Sequence, residues 1–336
     1  MKNKDPKLLV QSAPLLRQNL TTPAAMKEVW IALLPATAAA LWYFGLGALL
    51  ILLTAITGAV LTEWLFTPKD KRRFAISDTS AGLTGLLLGL TLPPGLPLWM
   101  AFLGGIVSIG LGKVIWGGLG SNLFNPALLG RAFLLGTFPI AMTTWGAAGG
   151  PGDFFQVHSS VFAIPFMQGG VDAVSSATPL GLMKFQHQAT ALWSLFTGNT
   201  AGSIGETSGL LLLLGGMYLL LRRSIDWRIP VAIFVTAGLF SLIVFLTADQ
   251  PVSSPLTTLF SGGLLLGAFF MATDPVTSPL TPRGCWIFGA GVGFLVVLIR
   301  LYGGLPEGVL YAVLLMNAAT PLIDRYTQPA IFGRKH

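Results

Sequence analysis

Residues 80–94 read Ser80-Ala-Gly-Leu-Thr-Gly-Leu-Leu-Leu-Gly-Leu-Thr-Leu-Pro-Pro94, and residues 261–275 read Ser261-Gly-Gly-Leu-Leu-Leu-Gly-Ala-Phe-Phe-Met-Ala-Thr-Asp-Pro275. Each stretch opens with a serine, continues as an apolar run, and meets Pro93-Pro94 or Asp274-Pro275 at the same distance from its start. The 13 residues from Ser80 to Leu92 make only about 20 Å of helix, which is too short to cross a bilayer alone. The two stretches therefore predict short, interrupted helices at corresponding places in two halves of the chain.

The composition is that of an integral membrane protein. Hydrophobic residues make up 53% of the 336 residues and charged residues only 10%, with a mean hydropathy of +0.73. A soluble domain has about 25% charged residues, so most of this surface must face something other than water. The 41 glycines suit close helix–helix approach in lipid.

The apolar runs predict ten membrane spans. They lie at about 29–45, 47–66, 79–92, 97–115, 126–142, 207–221, 229–247, 256–273, 284–301 and 306–322.

Basic residues set the predicted orientation. With ten spans and the N-terminus inside, 17 of the 20 Lys and Arg residues fall on the cytoplasmic side of the membrane. The net charge of +7 therefore indicates membrane topology rather than a nucleic-acid-binding surface. Of the other three, Lys184 and Arg300 are predicted outside and Arg131 within the fifth span. No cleavable signal precedes the first span. The protein is thus predicted to be multi-pass in the bacterial cytoplasmic membrane, with both termini inside.

These assignments give an all-α polytopic protein of two inverted five-helix repeats with broken helices. We expect a cytoplasmic tail (1–28), a first repeat (29–142), an extracytoplasmic loop region (143–206), a second repeat (207–323) and a C-terminal tail (324–336). Inverted repeats with interrupted helices at matching positions point to a site at their interface. Covered kinks without function are the alternative interpretation, because proline is common in membrane helices.

Two charges are predicted inside the membrane. Asp274 lies at the second break, where an ionised carboxylate needs a partner, a cation or a wet cavity; alternatively it is solvated at the cytoplasmic face. Asn125-Pro126 predicts a helix start that places Arg131 more than one turn inside the membrane. Arg131 then needs a carboxylate, carbonyl groups or an anionic cofactor, unless its side chain extends back to the surface.

Other titratable residues are assigned no chemistry. Glu63 and Asp78, near the inner boundary, are predicted to be hydrated. The only cysteine, Cys285, is predicted to be a small buried residue. A single cysteine excludes an intrachain disulfide and a cysteine-rich metal or iron–sulfur site within this chain.

The outer loop contains one polar, turn-forming segment, Val171-Asp-Ala-Val-Ser-Ser-Ala-Thr-Pro-Leu-Gly181. Its residue types fit an exposed connecting loop, and they also fit a site where the Thr178 hydroxyl carries a covalent group. Many aromatic residues flank it between 145 and 196, as an interfacial belt or as the wall of a pocket for a planar ligand.

The motifs resemble those of a known family. Asp172-x-x-Ser175-Ser176-Ala177-Thr178 resembles the flavinylation motif D-x-x-S/T-G-A-T, with Ser176 where glycine is common. Together with Gly117-Gly118-Leu-Gly120-Ser-Asn122-Leu-Phe124-Asn125-Pro126-Ala127 and Gly130-Arg131, it is similar to the membrane-embedded D component (RnfD) of Rnf electron-transport complexes. The resemblance covers essentially all ten spans.

The resemblance implies FMN linked through its phosphate to Thr178, with Asp172, Ser175 and Ala177 recognised by a flavin transferase and Arg131 as a further cofactor-binding candidate. It implies a non-covalent riboflavin in some members. It also implies an electron relay without a catalytic residue for an organic substrate, inside a complex that transfers electrons between ferredoxin and NAD and moves Na⁺ or H⁺. The expected partners are a second covalent-FMN subunit and iron–sulfur subunits, because this chain has no nucleotide-binding glycine fingerprint or cysteine cluster. Asp274 is the candidate for the ion path.

Two alternatives remain open. The B component (NqrB) of the Na⁺-translocating NADH:quinone reductase belongs to the sister family, but this chain has a shorter N-terminal tail than we expect of that component. A non-redox transporter or channel on the same inverted-repeat plan explains the broken helices and Asp274, but not the segment from Asp172 to Thr178.

Overall fold

The computed structural model describes residues 21–69, 72, 77–146, 154–155, 157–165, 176–188, 190–206, 208–248 and 253–328. Helices dominate these residues, and no strand occurs among them. Asp172 and Ser175 lie outside the described residues, and so does most of the predicted N-terminal tail.

The first two predicted spans form one continuous element, α1 (Thr22–Phe66), which is broken only at Gly45. Gly45 has φ 60° and ψ −147°, a conformation that L-residues with side chains rarely adopt. Trp30 and Val60, equally far from Gly45 in the sequence, both approach Gly82. Residues before and after Gly45 therefore lie side by side, and α1 is a helical hairpin of two spans.

The remaining helices agree closely with the predicted spans. They are α2 (Ser80–Leu90), α3 (Leu98–Ile109, continued by a π-helical turn Gly110–Val114), α4 (Pro126–Thr137), α5 (Pro139–Thr143), α6 (Pro179–Gln186), α7 (Leu192–Thr197), α8 (Gly209–Leu221), α9 (Arg228–Thr247), α10 (Pro255–Phe260), α11 (Leu264–Leu266, continued by a π-helical turn Gly267–Met271), α12 (Pro282–Tyr302) and α13 (Val309–Thr327). Short 3₁₀ turns occur at Ser159–Phe162 and Ile204–Glu206.

Helix ends extend past the predicted spans at both chain termini. Helix α1 begins at Thr22 rather than at 29, and α13 continues to Thr327 rather than ending at 322. A helix satisfies its own backbone in water as well as in lipid, so its end need not coincide with the end of the apolar run. Among the described residues, three helices are long and apolar enough to cross a membrane, namely α1, α9 and α12, while α2, α3 with its π turn, and α8 are shorter apolar helices.

Both quoted stretches form short elements inside one continuous hydrophobic core. Helix α2 has 11 residues, of which all but Thr84 are buried, and it spans only about 16 Å. In the second repeat, α10 ends before Ser261, Gly262 turns in the left-handed region at φ 65°, and α11 with its π turn follows. The prediction of two interrupted helices at matching positions is confirmed.

The two halves also use matching helix pairings. The most extensive packing is between α1 and α3 in the first half and between α9 and α12 in the second, and α3–α4 corresponds to α12–α13. This agreement supports the inverted-repeat assignment made from the sequence.

Glu63 corrects one sequence prediction. Its side chain is not hydrated: Glu63 and Lys113 are each only 4% exposed and form a buried ion pair, and Lys113 also donates to Ser80 Oγ at 2.6 Å. The pair therefore joins α1, the π turn after α3 and the first residue of α2. Asp78 accepts the backbone N–H and the hydroxyl of Ser80 at 2.8 and 2.7 Å, so it caps the same helix start.

We expect Lys113→Met to destabilise the protein by about 3–5 kcal/mol, because it leaves the Glu63 carboxylate buried and unpaired. The double variant Glu63→Gln/Lys113→Met should recover most of this loss. Thermal unfolding of the purified protein in detergent measures both. Arg228→Met, which breaks the partly exposed pair with Asp226, is the matched control and should cost less than about 1 kcal/mol. Equal losses in the Lys113 and Arg228 variants would contradict the assignment.

Candidate functional site

Thr178 borders a large cavity, which we call the Thr178 cavity. Its volume is about 530 Å³, and Ser176, Ala177, Thr178 and Gly181 form one wall. Aromatic side chains and two charged groups line the remainder; they include Trp145, Phe185, Tyr311, Arg131 and Glu307. Phe185 lines this cavity at its open side, because 66% of its surface is exposed, and Phe155, Phe162 and Trp193 are exposed as well.

Thr178 is the N-cap residue of α6. Its Oγ1 accepts the Gly181 backbone N–H at 3.1 Å, and Pro179 at the first helical position fixes the backbone direction. A Cβ on residue 181 would lie only 3.2 Å from this oxygen. Glycine at 181 therefore leaves free space beside the hydroxyl, at a helix end whose backbone N–H groups favour an anion.

Two contacts hold α6 against the membrane helices. Ser176 N–H donates to the Trp145 carbonyl at 2.8 Å. The Lys184 ammonium donates to the carbonyl oxygens of Arg300 (2.9 Å), Gly303 and Leu305 (3.3 Å), which form the end of α12 and the connection to α13. Burial lowers the pKa of Lys184. The position of Thr178 thus depends on a lysine that binds carbonyl groups at a helix C-terminus.

Arg131 has the carboxylate partner that the sequence required. Its Nη2 donates to Glu307 Oε2 at 2.6 Å, and both side chains are largely buried. The second oxygen of Glu307 accepts the Gly263 backbone N–H at 2.9 Å, at the break between α10 and α11. The alternative that Arg131 extends back to the inner surface is wrong, because it lines the same cavity as Thr178.

Arg300 lies at the end of the predicted span 284–301 and is 8% exposed in the last turn of α12. Its guanidinium donates to the carbonyls of Thr258 (2.6 Å) and Ser261 (2.9 Å), which are freed by the helix break. Lys113 contacts Ser80 at the corresponding place in the first repeat. Each repeat therefore places a basic side chain against the serine that begins its quoted stretch.

Sequence reasoning missed two acidic residues, Glu206 and Glu307. The Glu206 carboxyl, in the 3₁₀ turn before α8, lies close enough to Glu307 to share a hydrogen bond. Burial, and then the negative charge of Glu307, raise the pKa of Glu206 to about 8. The pKa of Glu307 is lowered, chiefly by the positive charge of Arg131 acting against burial. The one available signal was that both residues are isolated acids in otherwise uncharged connections.

A second cavity of about 100 Å³, the Asp274 cavity, lies at the interface of the two repeats. Its polar wall is formed by Ser80, Lys113, Asn122, Asn125 and Asp274. Asn125 caps α4 through its Oδ1 and donates Nδ2 to the Met271 carbonyl at 3.2 Å, so it joins the repeats. The predicted helix start at Asn125-Pro126 is confirmed.

Asp274 follows the π turn after α11, as predicted from the break. Its oxygens accept Val276 N–H at 3.3 Å and the Thr277 hydroxyl at 3.4 Å, and it forms no ion pair within the described part of the chain. Asp274 is partly exposed in the wall of the cavity between the repeats.

The remaining candidates lie in two different cavities or in the core. Ala177 and Thr178 lie in one cavity with Arg131, whereas Asp274 lies in the other. Cys285 is 3% exposed in α12, as predicted for a small buried residue. Among the described residues no group of three or more His, Cys, Asp or Glu side chains is placed to hold a metal ion.

These helices and cavities define a polytopic helical membrane protein with polar groups concentrated where two repeats meet. The chain belongs to the NQR2, RnfD, RnfE family, whose model matches residues 9–333.

Several relatives are D components of ion-translocating complexes. The chain is 42% identical to that of the proton-translocating ferredoxin:NAD(+) oxidoreductase complex of Clostridium ljungdahlii, over 97% of this chain and 96% of that protein. It is 41% identical to that of the Na(+)-translocating ferredoxin:NAD(+) oxidoreductase complex of Acetobacterium woodii, with 97% and 95% covered. It is 39% identical to that of the ion-translocating oxidoreductase complex of Escherichia coli, with 97% and 98% covered.

We expect Lys184→Gln to weaken the attachment of α6 to α12, because the amide of glutamine cannot replace an ammonium group that donates to three carbonyl oxygens. Hydrogen–deuterium exchange should become faster in residues 179–186 and 303–308 and remain unchanged in α12. Lys69→Gln, on an exposed lysine, is the matched control. Unchanged exchange in both segments would show that Lys184 does not hold this helix.

Proposed function

We propose that this chain is the D component of an ion-translocating ferredoxin:NAD oxidoreductase complex and relays electrons through FMN joined to Thr178 by a phosphoester. Membership of the family and similarity over nearly the whole chain to three such components support the assignment. The same similarity favours it over the B component of the Na⁺-translocating NADH:quinone reductase. A non-redox channel would not require the attachment motif.

The Thr178 cavity fits the proposed cofactor. The one observation that carries the proposal is that the Thr178 hydroxyl lies at the N-terminus of α6 and at the wall of a cavity of about 530 Å³. A phosphate on this oxygen would be stabilised by the backbone N–H groups of the first helical turn, with the open space at Gly181 beside it. Trp145, Phe185 and Tyr311 offer apolar surface to a planar ring.

FMN supplies the electron-carrying ring, and this chain supplies its position and electrostatic surroundings. The covalent bond keeps the cofactor from diffusing away, while Lys184 fixes α6 against the end of α12. Arg131 contributes a positive charge to the cavity, which is balanced by Glu307. We infer that the loop with Thr178 lies on the extracytoplasmic side, because the basic residues predict this orientation. The non-covalent riboflavin stays a prediction from the family resemblance.

We propose the Asp274 cavity as part of the ion path. Asp274 brings a carboxylate without a basic partner in the described structure to a cavity between interrupted helices, together with the Asn122 and Asn125 amides. Such a place suits a small cation. Relatives of nearly equal identity carry proton-translocating and Na(+)-translocating in their names, so overall similarity does not select the ion.

We expect Thr178→Ala to abolish the covalent flavin, because no hydroxyl remains to form the phosphoester. The measurement is flavin fluorescence of the denatured band on a gel, with the protein produced beside its flavin transferase. Ser176→Ala is the matched control, since it removes a neighbouring hydroxyl from the same cavity wall, and its band should stay fluorescent. A dark band in the parent protein, or a fluorescent one in Thr178→Ala, would refute the tether.

We expect Asp274→Asn to uncouple the complex, because an amide cannot bind a cation as a carboxylate does. Electron transfer should continue, while Na⁺ or H⁺ uptake into vesicles falls at least tenfold. Asp226→Asn, which changes a carboxylate paired with Arg228 outside the cavity, should leave both activities unchanged. Normal ion uptake in Asp274→Asn would remove this residue from the path.

A further inference from the structure

A charged cluster lies next to the Thr178 cavity, and two of its members, Glu206 and Arg300, have no role in the function proposed above. It consists of Glu206, Glu307, Arg131 and Arg300, which come from the 3₁₀ turn before α8, the connection before α13, α4 and α12. Both glutamates interact electrostatically with both arginines. Of these four residues, only Glu307 and Arg131 line the cavity. Glu206 does not line it but lies within hydrogen-bonding distance of Glu307.

The two carboxyl groups differ in the hydrogen bonds that they accept. Both oxygens of Glu307 accept strong donors, the Arg131 guanidinium and the Gly263 N–H. Oε1 of Glu206, by contrast, is buried without a hydrogen-bond partner in the described structure. The hydroxyl of Ser203, which is 1% exposed, faces Glu206 without completing a hydrogen bond. Two carboxyl groups within hydrogen-bonding reach cannot both be ionised at low cost, so the group with fewer donors keeps the proton.

The charges exclude a metal cation at this place. Arg131 and Arg300 are each at least nine-tenths buried, and both point charged groups at the acid pair. In a medium of low dielectric constant two guanidinium groups repel a further cation strongly. A proton binds covalently to a carboxyl oxygen and removes charge rather than adding an ion, so it is the ligand that this cluster accommodates.

We propose that Glu206 and Glu307 form a proton-binding site that shares one proton and is linked to the redox state of the Thr178 cavity. An electron delivered by a reduced partner in the complex adds one negative charge to the cavity. When both carboxyl groups are ionised, the acid pair then binds one proton from water, and the net charge of the region is unchanged. By linkage, electron arrival favours proton binding to the same extent that proton binding favours electron arrival. This link rests on the proposed function, whereas the acid pair itself does not.

The acid pair also connects the site to both broken helices. Ile204 N–H, in the same 3₁₀ turn as Glu206, donates to the Leu92 carbonyl at 3.0 Å just after α2. Glu307 binds the Gly263 N–H just before α11. Protonation of the pair thus changes the charge at a place that is hydrogen-bonded to the interrupted helices of both repeats.

Infrared difference spectra of the purified complex, recorded between pH 6 and pH 10, test the acid pair directly. We expect a protonated-carboxyl band that disappears with a midpoint near pH 8, since the pKa of Glu206 is raised to about 8. Glu206→Gln should abolish this band and Glu206→Asp should retain it at a shifted midpoint. Glu28→Gln, which changes a glutamate bound to Arg222, is the matched control and should leave it intact. A band that persists in Glu206→Gln overturns the proposal, and so does its absence from the parent complex.

The redox link is tested by the pH dependence of the flavin reduction potential. The parent should show a change of slope near pH 8 that is lost in Glu206→Gln and kept in Glu206→Asp, whereas identical profiles overturn the link. If Glu206→Gln does not assemble, the midpoint in Glu206→Asp decides: an unshifted midpoint overturns the assignment. A dark Thr178 band on a gel refutes the flavin tether, while the infrared band still tests the acid pair in the same preparation.

Discussion

The fold depends on how a buried guanidinium is satisfied. Arg131 lies within α4, where an unpaired positive charge would be strongly unfavourable. Its partner, Glu307, is 176 residues away and belongs to the other repeat. The same carboxylate accepts the Gly263 N–H, so one ion pair fixes α4, the connection before α13 and the break between α10 and α11 relative to one another. The Thr178 cavity lies against this junction and takes part of its shape from it.

The broken helices pose a related problem, because a helix that ends inside the membrane frees backbone groups that lipid cannot satisfy. Each repeat places a basic side chain at its interrupted helix, against freed carbonyls in the second repeat and against a serine hydroxyl in the first. Arg300 donates to the carbonyls of Thr258 and Ser261, while Lys113, neutralised by Glu63, binds Ser80. A basic side chain from the neighbouring long helix thus supports each break. Several buried charged side chains in this protein therefore support the fold. Functional roles are best sought among the charged groups that these structural contacts do not use.

Sequence reasoning found the features that are local in the chain. Apolar runs and turn residues gave the class of polytopic helical membrane protein, the interrupted helices and the helix start at Asn125, and the burial of Arg131 implied an anionic partner. It misjudged Glu63, predicted to be hydrated, and it overlooked Glu206 and Glu307. Each of these is decided by a contact between residues far apart in the sequence, such as the 50 positions between Glu63 and Lys113. Periodicity and hydropathy carry no information about such pairings. The attachment residues Asp172 and Ser175 stay predictions, because they lie outside the described residues.

The charged groups at the two cavities indicate which ligand each cavity favours. The cluster beside the Thr178 cavity contains two guanidinium and two carboxyl groups, so it is neutral when both carboxyl groups are ionised and carries a charge of +1 when they share one proton. A negative charge in the cavity therefore favours the protonated form. In the Asp274 cavity the Lys113 ammonium is already neutralised by Glu63, which leaves Asp274 without a compensating charge among the described residues. One cavity therefore favours a proton and the other a cation. Asn125 and Arg131 lie six residues apart at the start of α4, which is about 9 Å along a helix. Because each side chain reaches a different cavity, a change of charge at Arg131 acts across less than two helical turns on the groups that face Asp274.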